Sequence, residues 1–347
     1  MSYMKKILIY ATVFLGIIFV VLLFMVGHYF STLKAVNPND SEQKIFIVLK
    51  GERAKEISEK LKDEKIIAND FTFLINLYLE NKQNDIQSGD YLLSPSMSAN
   101  EIVEIITSGK SSARKLTIVE GWTLKDIAEK VSEMGIASKD NFYLIAGYPA
   151  MNYSNKNNKP KDFSNEFSFL SDKPKNLGIE GYLYPDTYNV VSNDTAETII
   201  RKSLENFDQK LTQDLRNEIK RQKKTVFEII TIASIIEKEV KGIDDRKIVA
   251  GILENRIKIG MALQVDATTL YGQPDGTKID NKKDSPYNTY LNRGLPLGPI
   301  CNPSIDSIKA AIYPTKNDYL FYLSAENGKT IFSKTFEEHK RAIQNHL

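Results

Sequence analysis

Apolar residues fall along this chain in three patterns, and each predicts a different kind of element. The first is an unbroken run: Ile7 to Phe30 contains no Asp, Glu, Lys or Arg. As a helix it would span about 36 Å, enough to cross the hydrocarbon core of a bilayer. Residues 7–30 are therefore predicted to be a transmembrane anchor. Lys5 and Lys6 precede the run directly, whereas the stretch after it sets Lys34 against Asp40 and Glu42. The cytoplasmic bias of basic residues then predicts residues 1–6 inside the cell and everything after about Phe30 outside it. A cleaved signal peptide fits less well, because its apolar core would span only about 7–15 residues and end at a small-x-small site.

The second pattern is a short β-rich run that reaches a glycine and gives way to helical spacing. Val48-Leu-Lys-Gly51, followed by Lys55, Ile57, Glu59, Lys60 and Ile66, lines up at an offset of 70 residues with Ile118-Val-Glu-Gly121, followed by Lys125, Ile127, Glu129, Lys130 and Ile136. Each copy is predicted to be a strand–turn–helix unit, the second over residues 113–137. Ser94-Pro-Ser-Met-Ser98 leading into Glu101–Ile106 is a weaker echo. Convergence of short β–α units explains the match as well as true repetition does. Residues 152–176 are crowded with Asn, Lys, Ser and Pro and are predicted to be a long surface loop, either a lid or an unstructured insertion. Helical stretches follow at about 196–223, 226–241 and 246–259. The chain closes with strands 319–324 and 330–333 about an Asn327-Gly328 turn, then a helix carrying Glu337, Glu338 and His339.

The third pattern, Thr225 to Lys241, is apolar on every side. Val226, Phe227, Ile229, Ile230, Ile232, Ala233, Ile235 and Ile236 leave no polar stripe, so the helix is predicted to be buried all round. It ends with two carboxylates, Glu237 and Glu239. On a helix Glu237 projects over Ala233 and Ser234, and Glu239 over Ile235 and Ile236. A carboxyl held against such surfaces loses hydration and its pKa rises, which lets a glutamic acid serve as a general acid near neutral pH. The plainer reading pairs both glutamates with Lys238, Lys241 or Arg246 at a solvated helix end. Spacing alone does not choose between the two glutamates.

Composition narrows the remaining classes. The formal charge is +2, 46 basic against 44 acidic residues, and without Lys5 and Lys6 the balance is 44 against 44. No strongly basic surface points to a nucleic-acid partner. One cysteine, Cys301, rules out an internal disulfide framework. Of three histidines only His339 lies where a triad could use it, and no H-E-x-x-H zinc motif occurs. Gly109-Lys110-Ser111 has the ending of a phosphate loop, but Glu104 stands where that motif needs its earlier glycine. From Gly260 onward the chain is rich in Tyr, Asn, Gln, Thr, Pro and Gly. Such residues suit a groove for sugars, with aromatic faces for pyranose rings and neutral groups for hydroxyls, and they equally suit ordinary turns.

In order along the chain, Glu180-Gly-Tyr-Leu-Tyr-Pro-Asp-Thr-Tyr188, Ala233-Ser-Ile-Ile-Glu-Lys-Glu239, Asn255–Gln264, Ser285-Pro-Tyr-Asn-Thr-Tyr290, Gly294-Leu-Pro296, Gly298-Pro-Ile300 with Asn302-Pro303, and Phe332–His339 resemble the MltG/YceG-like family of membrane-anchored endolytic murein transglycosylases. The resemblance covers nearly the whole chain. It implies an α+β protein: an N-terminal transmembrane helix, a linker over 31–44, a small LysM-like β/α subdomain over 45–110 and a larger mixed α/β catalytic domain over 111–345. It implies Glu237 as the catalytic acid, no cofactor and no metal. Gln264, Asp266, Tyr287, Asn288 and Asn302 are the expected glycan-binding residues, and Glu239, Glu180, Asp186 and Ser234 the expected supports. The implied partners are peptidoglycan strands, the cytoplasmic membrane crossed once, and peptidoglycan synthases.

The chain departs from the family pattern at Val240, at Val265 and Ala267 around Asp266, and at Ser304, where glycine is usual. Two alternatives remain at this level. One is a two-carboxylate hydrolase with Glu239 or Asp266 as the base. The other is a non-catalytic glycan-binding scaffold for wall synthases. A solute-binding domain fits the tyrosine-rich loops but not an apolar helix ending in Glu237.

Overall fold

The computed structural model describes residues 3–109, 114–191, 194–273, 279–325 and 329–346, with side chains described from residue 12 onward. The chain divides into two compact units, residues 1–114 with 190–193, and residues 115–189 with 194–347.

The first unit opens with α1 (Tyr3–Thr32), 30 residues long. Its described span Thr12–Thr32 has a mean hydropathy of 2.5 and is long and apolar enough to cross a membrane. Its large apolar side chains from Val13 to Val26 are exposed, an arrangement costly in water and favourable in lipid. Then come β1 (Lys44–Val48), α2 (Ala54–Asp63), α3 (Asp70–Leu79), β2 (Gly89–Leu93) and α4 (Ala99–Thr107). The two strands pair antiparallel with Phe46 opposite Tyr91, and they share one core with Ile57, Leu61, Phe73, Leu77, Ile102 and Ile106. α2 shows the cause, since Ile57, Ser58 and Leu61 are buried while Lys55, Glu59 and Lys62 face out. α4 starts at Ser98, whose hydroxyl accepts from the Glu101 N–H while the Glu101 carboxylate takes the Ser98 N–H.

The second unit contains β3 (Arg114–Thr117) from its second residue, α5 (Leu124–Glu133), α6 (Lys139–Ala146), a 3-10 turn at Ser168–Leu170, β4 (Thr187–Val190) but for its last residue, α7 (Ala196–Lys210), α8 (Gln213–Arg221) and α9 (Val226–Glu239). It continues with α10 (Ile243–Lys258), α11 (Asp266–Tyr271), α12 (Ile305–Ile312), β5 (Phe321–Ser324), β6 (Thr330–Ser333) and α13 (Phe336–His346). The protein is thus a mixture of helices with three two-stranded sheets among the described residues, β1 with β2, β3 with β4 and β5 with β6. The expected Asn327-Gly328 turn of the β5–β6 hairpin lies outside the described residues.

Both copies of the 70-residue repeat are strand–turn–helix units: β1 reaches α2 through Gly51 (φ +84°), and β3 reaches α5 through Gly121 (φ +78°). α9 is the central helix. Every residue from Ile229 to Ile236 is buried, and the helix packs against α8, α10, α11 and α12. The stretch expected as one helix over 196–223 breaks at Leu211-Thr212. There the Arg216 guanidinium donates to the Leu211 carbonyl at 2.7 Å and the Asp208 carbonyl at 2.8 Å, satisfying acceptors that the helix end leaves open.

Residues 152–176 are irregular, as their composition predicts, but they are not an unstructured insertion. Tyr153, Phe163, Phe167, Phe169 and Leu170 are buried, and Phe169 stacks on Phe207 of α7 with ring centroids 4.9 Å apart. The ends meet where the Tyr153 N–H donates to the Asn176 carbonyl at 2.8 Å.

Candidate active site

Glu237 lies in the last turn of α9, which stops because Val240 turns to extended backbone (φ −136°, ψ 127°). The Glu237 side chain is only 6% exposed, but the wall around it is not wholly apolar. Its Oε2 accepts from the Ser304 N–H at 2.9 Å and from the Ser304 hydroxyl at 2.5 Å. Its Oε1 faces Arg246 Nη2 at 3.3 Å, and Arg246 Nη1 donates to the Ser304 hydroxyl oxygen at 2.9 Å. The three side chains close a triangle. Ser304 is also the N-cap of α12, so the carboxylate sits where a helix start presents N–H groups and a positive dipole end. Arg246 is one of the partners that the plainer sequence reading offered; the pair is buried, with Arg246 11% exposed, rather than at a solvated helix end.

The turn between β3 and α5 approaches the same carboxylate. Gly121 adopts φ +78°, and a Cβ there would lie 3.7 Å from Glu237 Cγ and 3.8 Å from Lys238 Nζ. Asn302 pins this turn: its carbonyl accepts the Gly121 N–H at 2.9 Å, while its own N–H and side-chain amide donate to the Trp122 carbonyl at 2.8 and 2.9 Å. The turn brings the exposed Glu120 into electrostatic reach of Glu237. Lost hydration raises the Glu120 pKa most, the negative charge on Glu237 adds to it, and Arg246 opposes.

Beneath the turn is a buried polar hub centred on Glu180. The Leu124 N–H, at the start of α5, donates to both of its oxygens at 3.1 and 3.0 Å, the Tyr271 hydroxyl donates at 2.8 Å, and the Asn302 amide lies 3.3 Å away. Burial pushes the Glu180 pKa up to about 7 against the pull of these donors. The next residue has to be glycine: Gly181 has φ +89°, and a Cβ would meet Pro299 at 2.5 Å and Ile230 of α9 at 2.9 Å. Asn302 also accepts the Leu183 N–H at 2.8 Å. Ser234 of α9 donates to the Thr231 carbonyl and accepts the Ile300 N–H at 3.0 Å. Ser234, Ile300, Asn302 and Glu180 thus connect α9 to the turn above Glu237.

The remaining expected site residues are elsewhere. Glu239 is half-buried and accepts from the Tyr322 hydroxyl at 3.1 Å; lost hydration raises its pKa. Asp266, exposed at the start of α11, accepts from the Tyr290 hydroxyl at 2.6 Å. Burial and that bond push the Tyr290 pKa up to about 12. Gln264 is exposed, in the left-handed region at φ +51°. Among the described residues no hydrogen bond or ion pair joins this Glu239–Asp266 cluster to Glu237. Asp186 is held by the Asn206 amide at 2.9 Å and the Thr187 N–H at 2.7 Å, which lower its pKa.

Three residues expected to bind sugar are instead occupied inside the fold. Asn288 is fully buried and donates to the Asn281 and Lys283 carbonyls at 3.0 and 2.8 Å, shaping its own loop. Asn302 is spent on the hub. Tyr287 is 4% exposed and lies edge-on to Tyr271, with ring centroids 5.0 Å apart. His339 stacks on Phe321 at 5.3 Å. Among the described residues no three His, Cys, Asp or Glu side chains gather as a metal site. A cavity of about 700 Å³ is lined by Lys224, Glu228, Ile232, Glu254 and Asn255, and Glu237 is not on its wall.

Sequence reasoning missed Glu120 and Gly121 as site residues, and it noted Ser304 only as a departure from a pattern. One signal was present. The 70-residue offset aligns Glu120-Gly121 with Lys50-Gly51, so the position before the turn glycine reverses charge between the copies.

Comparison with known proteins gives consistent matches. A model of the YceG-like family matches residues 46–345. A Bacillus subtilis protein named endolytic murein transglycosylase is 33% identical over 305 residues, covering 86% of this chain and 83% of that protein. A protein of the same name from Streptococcus pneumoniae serotype 2 strain D39 is 29% identical over 385 aligned positions, covering 100% of this chain, which spans 66% of that protein. A 2.6 Å crystal structure of a YceG-like protein from Listeria monocytogenes matches with a TM-score of 0.56 and 34% identity, covering 86% of this chain and 99% of that one.

Proposed function

Because the chain belongs to the YceG-like family, we propose that it is a membrane-anchored lytic transglycosylase that cuts MurNAc–GlcNAc bonds within nascent peptidoglycan strands and leaves anhydro-muramic ends. The names of its relatives support the reaction class. The observation that carries the residue assignment is the burial of Glu237 at the junction of α9, the α12 N-terminus and the Gly121 turn.

A glycosidase that uses water needs two carboxylates across the scissile bond. A lytic transglycosylase uses the primary hydroxyl of the muramic sugar instead. That oxygen attacks its own anomeric carbon, the bond to the leaving sugar breaks, and an anhydro ring forms. Glu237 protonates the leaving oxygen and then accepts the proton of the attacking hydroxyl. The intramolecular nucleophile has a high effective concentration, which replaces part of what a second carboxylate would supply. Ser304 fixes Oε2, so we assign Oε1, whose one hydrogen bond among the described residues is the 3.3 Å contact with Arg246, to the glycosidic oxygen. Gln264 and Asp266 are exposed and are assigned to the strand beyond the cut. Glu180, Asn302, Ser234, Tyr287 and Asn288 hold the scaffold, with Asp186 fixing the chain before β4 and Glu239 structural.

The β1–α2–α3–β2 order supports reading residues 45–110 as a LysM-like subdomain ahead of a catalytic domain over 111–345. With residues 1–6 cytoplasmic and α1 crossing the membrane, the site works outside the cell, within reach of strands still attached to lipid and beside the synthases that make them. A freely secreted form should cut free strands as before and lose its effect in cells; equal cellular activity without the anchor would contradict that role.

Glu120 favours one second reading, a hydrolase in which Glu120, rather than Glu239 or Asp266, is the base. The direct test of the residue assignment uses folded Glu237→Gln and Glu120→Gln proteins on uncrosslinked strands. The transglycosylase reading expects no cleavage from the first and continued formation of anhydro ends by the second. Loss of cleavage in both, with reducing ends from the parent protein, would favour the hydrolase.

A further inference from the structure

Trp122 is the single tryptophan of the chain, and it follows Gly121, where an added Cβ would come within 3.7 Å of Glu237 Cγ. Its backbone is fixed. Its N–H donates to the Val119 carbonyl at 3.0 Å, and its carbonyl accepts twice from Asn302. The side chain is only half-buried, and among the described residues nothing accepts a hydrogen bond from the indole N–H. It lines an open groove of about 490 Å³ with Thr117, Val119, Asp126 and Lys130. Lys115, Glu129 and Glu133 complete the lining, so both signs of charge are represented. A flat aromatic face on a rigid backbone loses little conformational freedom on binding, and an indole pairs an apolar body with one polar donor. Mixed charge gives no preference for an anionic or a cationic ligand. Those properties suit a neutral ring that carries hydroxyls on its rim and C–H groups on its face.

Resting on the glycan-cleaving assignment of Glu237, we propose that Trp122 and the groove between β3 and α5 form a pyranose subsite of the same strand, adjacent to the bond being cut. The indole face stacks on one sugar ring, while Thr117, Asp126 and Lys130 take its hydroxyls. Trp122 therefore acts on substrate affinity rather than on proton transfer.

The single tryptophan makes the test direct. Full-length Glu237→Gln protein in detergent is titrated with uncrosslinked peptidoglycan strands, following both indole emission and co-sedimentation with the strands. A saturable change in emission that tracks sedimentation is expected. In the Glu237-containing enzyme, Trp122→Ala should raise KM about tenfold and Trp122→Phe less, with kcat within about twofold of the parent. The phenylalanine variant controls for misfolding, since it keeps an aromatic ring on the turn. Sedimentation with unchanged emission, together with a parental KM in both variants, would overturn the subsite and leave the transglycosylase reading standing. Absence of both cleavage by the parent and sedimentation of the Glu237→Gln protein would overturn the reading and the subsite with it.

Discussion

Replacing Glu180 by Gln should remove a specific slope from the pH dependence of stability. Burial raises the Glu180 pKa from 4.5 to about 7 in the folded protein, so the folded chain holds this proton more tightly than the unfolded chain does. The stabilisation that the proton brings is fully present below about pH 4.5 and is lost as pH rises through 7. The difference of about 2.5 pH units, at about 1.4 kcal/mol each, amounts to about 3–4 kcal/mol, most of it lost between pH 4.5 and 7. Glutamine has no proton to lose in this range. Urea unfolding of the full chain in detergent, followed by Trp122 emission at pH 4.5 to 8, would give both stability profiles. Every other carboxylate contributes to both, so their difference isolates Glu180. The parent should lose about 3 kcal/mol relative to Glu180→Gln between pH 4.5 and 7 and stay level above. Parallel profiles would refute the argument, because they would mean that the buried carboxylate titrates as it does in the unfolded chain.

Three further outcomes follow from the same geometry. Ser304→Ala removes the 2.5 Å hydroxyl contact with Glu237 and the link to Arg246, and single-turnover cleavage should slow about tenfold or more while KM changes little; parental rates would show that the triangle does not position the acid. Glu239→Gln removes the negative charge faced by the Tyr322 hydroxyl and the Ala267 N–H while keeping one acceptor oxygen, and should retain most activity at a stability cost of about 1 kcal/mol, whereas inactivity as complete as that of Glu237→Gln would reverse the two roles. Asn302→Ala leaves the Leu183 N–H without its partner and takes one of two donors from the Trp122 carbonyl and the amide donor from Glu180, so thermal or urea unfolding should show a loss of about 2–3 kcal/mol; a loss below about 1 kcal/mol would mean that the hub is not a structural support.

The parts of this molecule that were legible in the sequence are those encoded by local periodicity. The uncharged run from Ile7 to Phe30 forms one helix, the all-round apolar stretch forms the buried α9, and the two glycine-punctuated runs form strand–turn–helix units. Glu237 stood out because an acidic residue ends a helix without a polar face. Its partners did not, because they are distant in sequence: Ser304 is 67 positions away, and the link depends on how α12 meets α9. The break at Leu211-Thr212 depends on Arg216 reaching back to carbonyls, which residue spacing does not reveal. Asn288 and Asn302 mark the limit of composition. An amide that closes a loop and an amide that binds a hydroxyl are the same residue type, and only burial separates them.

The central claim is that Glu237 directs attack by a hydroxyl of the substrate rather than by water. The most direct measurement is the mass of the new glycan ends formed when the full-length protein cuts uncrosslinked strands in ¹⁸O-labelled water. The account predicts anhydro ends, one water lighter than reducing ends and free of label, formed by the parent and absent with Glu237→Gln. Reducing ends carrying ¹⁸O would contradict it and identify water as the nucleophile.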